Sequence, residues 1–458
     1  MHTEITSERD QSRLKMKPTS KVCRRIHEHY LIDKEKLLTL VNRRPSFLIY
    51  SLCFTILLSF YVLCASNSLR FAFNSTHGHH FDQRNSLVQP GNDDEKCDLF
   101  TGRWIRDVRG PLYTNFSCKT LPYQRNCLLH GRTDKDFLHW RWKPDQCELP
   151  VFNLRSFLNI VQGKTMAFIG DSLARNQMES LLCLLSAEET PNQVYRDAED
   201  RTATCHFPRH NFTIIVLWTQ FLVSASEIIV NGSATGGFHL HLDKIDESWV
   251  QKLSAIDYAI ISDGQWFFRP NYLYEGGRFV GCIYCQETNV TDLGPGFAIQ
   301  KAFRLALKHI NDCNNCPRIV TILRTFSPSQ FENGGWNTGG TCTRTSPLAP
   351  EEIKDGGGLD WYYRRIQLAE IDSARKLGEK KGNAFDILDV TRAMLMRPDG
   401  HPGLHWGNQW MKGYSDCIHW CLPGPIDTWN DFLLQVLRRQ SRNPLGSRTH
   451  GSRFIGRR

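Results

Sequence analysis

The chain has 458 residues, 41% of them hydrophobic, and a formal net charge of +9. That length is ample for a large core and leaves room for more than one compact unit. The basic excess sits in two tails, with eleven Lys/Arg against six Asp/Glu in residues 1–44 and seven Arg without an acid in 438–458. The body between the tails is slightly acidic and has no basic patch interleaved with aromatics, which speaks against nucleic acid as a partner.

In chain order, residues 1–45 read as a basic cytosolic tail. Pro45 to Leu69 contains no charged residue, and its apolar centre from Phe47 to Ala65 is long enough to cross a bilayer as a helix, so 46–66 is read as a membrane anchor. Arg43 and Arg44 abut it on one side, whereas only Arg70 precedes Arg84 on the other. This asymmetry puts the N-terminus in the cytosol and the rest of the chain across the membrane, a single-pass type II topology. A cleaved signal peptide is the rival reading, but the apolar run is long and begins late for one. Residues 67–94, rich in His, Asn, Ser and Gly, read as a stem. Sequons at Asn74, Asn115, Asn211, Asn231 and Asn289 all lie beyond the anchor, where glycosylation reaches. Thirteen cysteines also follow it, a density that implies disulfides in an oxidising compartment with one thiol left over.

Residues 95–150 hold four cysteines and three tryptophans but few aliphatic side chains, as expected of a stapled segment packed on something larger. From about 151 to 437 the pattern is α/β. Short apolar runs at Thr165–Ile169, Ile214–Trp218, Tyr258–Ile261, Ile319–Leu323 and Ala384–Leu388 read as buried strands. Helical spacing appears from about Leu173 to Leu185, Ala298 to Ile310 and Trp361 to Lys381. Together they predict a parallel sheet with helices on both faces and an active site at the C-terminal ends of its strands. The tail over 438–458 is not expected to fold.

Two elements carry chemistry. Gly170-Asp171-Ser172 falls between a strand and a helix, where a glycine permits the sharp turn and a serine hydroxyl lies near unpaired backbone N–H groups. The tripeptide alone reads equally well as a helix cap. Asp416-Cys417-Ile418-His419 pairs a carboxylate with an imidazole, the base and orienting group that a serine nucleophile needs. Alone it reads equally well as a structural turn. His401, with Asp399 two residues before it, is a rival base. The pairs Cys282/Cys285 and Cys313/Cys316 have the spacing of a zinc site, but in a lumen they are expected as disulfides, and no metal is expected.

The two elements together resemble the SGNH/GDSL hydrolase-like superfamily. Five ordered blocks, CDLFTGRW (97–104), HWRWKPDQC (139–147), IGDSLARNQ (169–177), RTFSPSQFENGGWNTGGTC (324–342) and DCIHWCLPGPIDTWNDFLL (416–434), resemble the plant trichome birefringence-like family. The likeness spans nearly all of the chain beyond the stem. That family consists of Golgi-anchored O-acetyltransferases of cell-wall polysaccharides. The resemblance implies Ser172 as nucleophile, His419 as base and Asp416 as the carboxylate that orients it. It also implies disulfides Cys97–Cys147, Cys118–Cys183, Cys127–Cys421 and Cys342–Cys417.

The acceptor implied is a hemicellulose, xyloglucan or mannan before xylan, and other Golgi wall-synthesis proteins are candidate partners. No bound cofactor is implied, only an acetyl donor, acetyl-CoA or another lumenal one; no Gly-rich phosphate loop is apparent. Gln265 and Gln330 stand where other members often carry His; if those histidines touch the acceptor sugar, this chain's acceptor or regiochemistry is expected to differ. Asp171, Arg175, Asp263, Gly264, Gln265, Trp266, Arg324 and Trp336 are the candidates for acceptor binding. A polysaccharide acetylesterase with the same triad and a non-catalytic wall-polysaccharide binding protein are the alternatives; the second has no need of Ser172, Asp416 and His419 together.

Overall fold

The computed structural model describes residues 97–407 and 413–442. The expected cytosolic tail, membrane anchor and stem lie outside the described residues, as do Asn74 and residues 443–458. Among the described residues no helix is long and apolar enough to cross a membrane.

The cysteine-rich segment forms an antiparallel ribbon of β1 (Gly102–Arg106) and β2 (Trp140–Pro144). Trp104 and Trp142 are register partners with edge-on rings 5.7 Å apart. The Trp104 indole donates to the Ala393 carbonyl at 2.8 Å, which fastens the ribbon to the body far along the chain. The rest of the segment is loop and single turns, as its lack of aliphatic residues dictates.

The chain then runs through α1 (Leu154–Ile160), β3 (Thr165–Gly170), α2 (Ser172–Leu185), β4 (Asn192–Arg196), β5 (Thr202–Phe207) and β6 (Phe212–Trp218). Next come β7 (Val223–Val230), β8 (Ser233–Ile245), β9 (Tyr258–Ser262), β10 (Asn271–Glu275), β11 (Arg278–Ile283) and α3 (Gly294–Asp312). It ends with β12 (Val320–Arg324), α4 (Gly358–Glu379), β13 (Ala384–Leu388), α5 (Thr391–Leu395) and α6 (Asp427–Arg442).

The main sheet has seven strands in the order β13-β12-β9-β3-β6-β5-β4. The five from β13 to β6 are parallel, and β5 and β4 add an antiparallel edge. Strand residues alternate between two cores: Met166 and Phe168 pack with α1, α2, α6 and the ribbon, while Ala167 and Ile169 pack with α3 and α4. Burial on both faces explains why these strands read as continuous apolar runs.

Three expectations need correction. The sheet is mixed rather than parallel. Its second face is covered by helices and also by a second, four-stranded sheet, β11-β10-β8-β7, whose Phe238, Leu240 and Leu273 join that core. Strands β7 and β8 meet at Asn231-Gly232, both with positive φ, a turn chemistry that commonly closes two-residue hairpins. Finally, α6 continues past Leu437 to Arg442, because Arg438 reaches the Ser156 hydroxyl at 3.0 Å and Arg439 the Cys97 carbonyl at 2.8 Å.

Six disulfides form among the described residues: Cys97–Cys147, Cys118–Cys183, Cys127–Cys421, Cys342–Cys417, Cys282–Cys285 and Cys313–Cys316. The leftover thiol is the buried Cys205 on β5.

Candidate active site

Strand β3 ends at Gly170, whose φ of +147° and whose approach to the Ser262 carbonyl of β9 leave no room for a Cβ. The chain turns there and enters α2 at Ser172. Asp171 caps the helix: its Oδ1 accepts the Leu173 N–H at 2.9 Å, and its backbone carbonyl accepts the Ala174 N–H at 3.1 Å. Both readings of the tripeptide therefore hold at once, with Asp171 as the cap and the Ser172 hydroxyl left over.

That hydroxyl faces residues 416–421, a loop with no helix or strand of its own. The Ser172 Oγ lies 2.7 Å from His419 Nε2, and His419 Nδ1 lies 2.8 Å from Asp416 Oδ2. Asp416 Oδ1 accepts the backbone N–H of Ile418 at 3.1 Å and of His419 at 3.0 Å. Burial alone would raise the Asp416 carboxyl. Charge and hydrogen bonding from His419, with the Arg125 guanidinium 3.4 Å from Oδ2, outweigh it and hold the group ionised well below the usual carboxylate range. The carboxylate thus fixes a proton on Nδ1 and turns the Nε2 lone pair toward the serine. Arg125 was not singled out in the sequence, since nothing local marks it as a neighbour of Asp416.

The loop is tied from several sides. Disulfides join Cys417 to Cys342 and Cys421 to Cys127. Asp416 and Gly403 exchange two backbone hydrogen bonds, at 2.8 and 3.0 Å. His401, the rival base, is one of the ties. Its ring stacks on Trp420 at 4.0 Å, its Nδ1 lies 2.7 Å from the His419 carbonyl, and its Nε2 lies 3.0 Å from the Gln330 side-chain amide. Burial pulls its pKa down to about 4, so it stays neutral. Its Nδ1–H donates to the His419 carbonyl, so His401 belongs to the loop's support. Gln330 also donates its backbone N–H to the Cys417 carbonyl at 3.0 Å and its amide to the Leu395 carbonyl at 2.9 Å. It braces the loop.

Residues 149–436 match the GDSL/SGNH-like acyl-esterase family found in Pmr5 and Cas1p, and residues 95–148 match the PMR5 N-terminal domain. The chain is 56% identical over 385 residues to xyloglucan O-acetyltransferase 4 of Populus trichocarpa, covering 84% of this chain and 90% of that protein. It is 52% identical over 360 residues to xyloglucan O-acetyltransferase 2 of Arabidopsis thaliana, covering 78% and 86%. It is 43% identical over 351 residues to trichome birefringence-like protein 19 of Arabidopsis thaliana, covering 76% and 82%.

The chain belongs to the trichome birefringence-like family.

The remaining candidates of this family member differ in burial and in their partners. Asp263 and Arg324 are only 3% and 2% exposed, so they form a polar floor beneath the nucleophile rather than lining a groove. Burial and the nearby Asp171 push the Asp263 carboxyl well up; burial pulls Arg324 down to about 10, and its guanidinium lies over the Trp429 ring at 4.7 Å. Gly264 abuts the Phe326 ring and serves the same floor. Arg175 is spent on Asp200 at 3.2 Å. Gln265 and Trp266 stay partly exposed; the Gln265 side chain donates to the Ser327 carbonyl at 2.7 Å, and Trp266 meets Trp218 edge-on at 5.6 Å. Trp336 is exposed on its loop. Trp218 was missed, although it is the register partner of Gly170 and so stands beside the nucleophile turn. Reading the last residue of each parallel strand would have found it.

Proposed function

We propose that this chain is a polysaccharide O-acetyltransferase that acts on xyloglucan through a Ser172 acetyl-enzyme. The observation that carries the mechanism is the continuous Ser172–His419–Asp416 hydrogen-bonded line, at 2.7 and 2.8 Å. That the relatives above half identity are xyloglucan O-acetyltransferases supports the acceptor.

His419 Nε2 takes the Ser172 proton as Oγ attacks the acetyl carbonyl carbon. Negative charge then develops on the acetyl oxygen next to the start of α2, where the positive end of the helix dipole favours it. The donor's leaving group departs with the proton from His419. A sugar hydroxyl next gives its proton to His419 and attacks the acetyl-enzyme, forming the new ester and restoring Ser172. Asp416 remains ionised throughout and stabilises the imidazolium.

The donor is acetyl-CoA or another lumenal acetyl carrier, with mannan and xylan as lesser acceptors. The setting proposed is the Golgi lumen, with the chain anchored by 46–66 beside other wall-synthesis proteins. Six disulfides among the described residues support an oxidising compartment. Asn211, Asn231 and Asn289 are exposed and Asn115 is half-exposed, as glycosylation at these sites requires.

The test is to incubate the full chain in detergent with an acetyl donor and oligosaccharides of xyloglucan, mannan and xylan, and to weigh the products by mass spectrometry. Acetylated xyloglucan, absent with Ser172→Ala, is expected. Release of acetate to water without any acetylated sugar would assign the triad to an esterase instead.

A further inference from the structure

We propose that Asn176 is a positioning residue that sets the separation of the nucleophile and its base. The inference rests on the Ser172–His419–Asp416 reading above and names a residue outside that triad.

Asn176 follows Ser172 by four positions on α2, so both lie on one face of the helix. It is fully buried. Its Oδ1 accepts the backbone N–H of Trp420 at 2.9 Å, and its Nδ2 donates to the Trp420 carbonyl at 3.4 Å. One planar amide thus grips both backbone polar groups of a single residue, which restrains rotation as well as distance. Trp420 directly follows His419 in the chain. Ser172 and Asn176 ride on one rigid helix, while His419 and Trp420 are consecutive, so the grip transmits the helix position to the imidazole within one residue.

The neighbouring ties do different work. The disulfides at Cys417 and Cys421 and the His401 contact fasten the loop to the ribbon segment, the 342 loop and residue 330. Asn176 fastens it to the helix that bears the nucleophile. One turn further along the same face, Ser180 bonds Asp427 at 2.6 Å and the Asn430 amide at 2.9 Å. Residues 172, 176 and 180 therefore form a polar seam on a helix otherwise buried through Leu173, Met178, Leu181 and Leu182. An apolar side chain of Asn176's size would fill the same space but could not index the loop against the helix.

The experiment compares Asn176→Leu, Asn176→Asp and Ser180→Ala in the full chain, with turnover divided by the number of sites that a fluorophosphonate labels at Ser172. A misplacement of about 1 Å can cost on the order of 100-fold in rate. Asn176→Leu is expected to lower kcat per labelled site about 10- to 100-fold with acceptor KM within about twofold, and to slow labelling by a similar factor. Asn176→Asp keeps the acceptor for the Trp420 N–H and should recover part of the loss. Ser180→Ala should lower the melting temperature and leave kcat per site unchanged. In a Ser172→Ala background, where residual turnover is taken per mole of folded enzyme because no site labels, adding Asn176→Leu should cost nothing further, because the pair acts as a unit. Unchanged kcat per labelled site in both Asn176 variants, or an equal loss in both backgrounds, would overturn the proposal and leave the triad standing. Wild-type turnover by Ser172→Ala would instead remove the triad reading and this proposal with it.

Discussion

Ser172 stands where a strand buried on both faces meets a fourteen-residue helix, whereas His419 stands in a loop with no regular structure. The first position is fixed by backbone hydrogen bonding and local sterics, with Gly170 turning the chain and Asp171 capping the helix. The second is fixed from outside the loop by two disulfides, the Gly403 bridge, and side chains of Asn176, His401 and Arg125. A triad needs both halves held closely, and here the fold supplies one while long-range ties supply the other. The cysteine-rich segment belongs to the second half, since Cys127 bonds Cys421 of the loop and Arg125 bonds the Asp416 carboxylate.

The largest expected effects test whether the two halves act as one unit. Ser172→Ala and His419→Ala should each lower kcat for acetyl transfer by at least about 10⁴-fold, and the double variant should be little worse than either. Asp416→Asn, which leaves the imidazole in the wrong tautomer, should cost on the order of 10⁴-fold and leave more residual activity than Ser172→Ala. Steady-state transfer assays check this; additive losses would mean that the halves do not work together.

Smaller losses should follow from cutting the ties. Cys127–Cys421 spans 294 residues and Cys342–Cys417 spans 75, and native bridges of this kind typically stabilise by about 2–5 kcal/mol. Replacing Cys421 with Ser should lower turnover more than tenfold even at temperatures where circular dichroism shows an intact fold.

His401 sharpens the comparison through pH. The unfolded chain takes up a proton at this ring below about 6.5, while the folded chain refuses it until about 4. The contribution is therefore full above pH 6.5 and is lost as pH falls toward 4, on the order of 3 kcal/mol in all. Denaturant titrations across that window should show stability falling with acidity. His401→Asn should flatten the slope and lower stability at neutral pH, through loss of the stack on Trp420 and the contact to the His419 carbonyl.

The same division decides what was legible in the sequence. The TMAFI strand, Gly170 and the helix after Ser172 are contiguous, and their pattern alone predicts the strand–turn–helix, but not whether Ser172 is a nucleophile or part of a cap. Asp416 and His419 are also contiguous, but only resemblance to a family joined them to Ser172. Asn176, Arg125 and Gln330 carry no local mark of their role, because their partners are 244, 291 and 71 residues away. Arg324 was misread for a different reason. Side chains alternate along β12, so Arg324 shares a face with the buried Ile322 and points under α6 rather than into a groove. The second sheet escaped because Ser, Gly and His interrupt the apolar pattern of β7 and β8, and because β10 and β11 are short; the Asn231-Gly232 turn was the usable signal.

The smallest effect should come from the second sheet. Cys282–Cys285 spans only three residues at the end of β11, so its removal should cost about 2 kcal/mol, well below the cost at Cys421. The turn it closes is also held without it: the Cys282 N–H donates to the Thr291 carbonyl at 3.0 Å, the Leu293 N–H to the Cys282 carbonyl at 2.9 Å, and the Tyr284 N–H to Asp292 at 3.1 Å. Replacing Cys282 with Ala and Cys285 with Ser should therefore lower the melting temperature by a few degrees and leave kcat unchanged. Thermal melts and transfer assays on the same preparation check both parts. A large loss of kcat without a matching loss of stability would mean that the second sheet reaches the acetyl-transfer site, and that the supports of His419 extend beyond the ties around its loop.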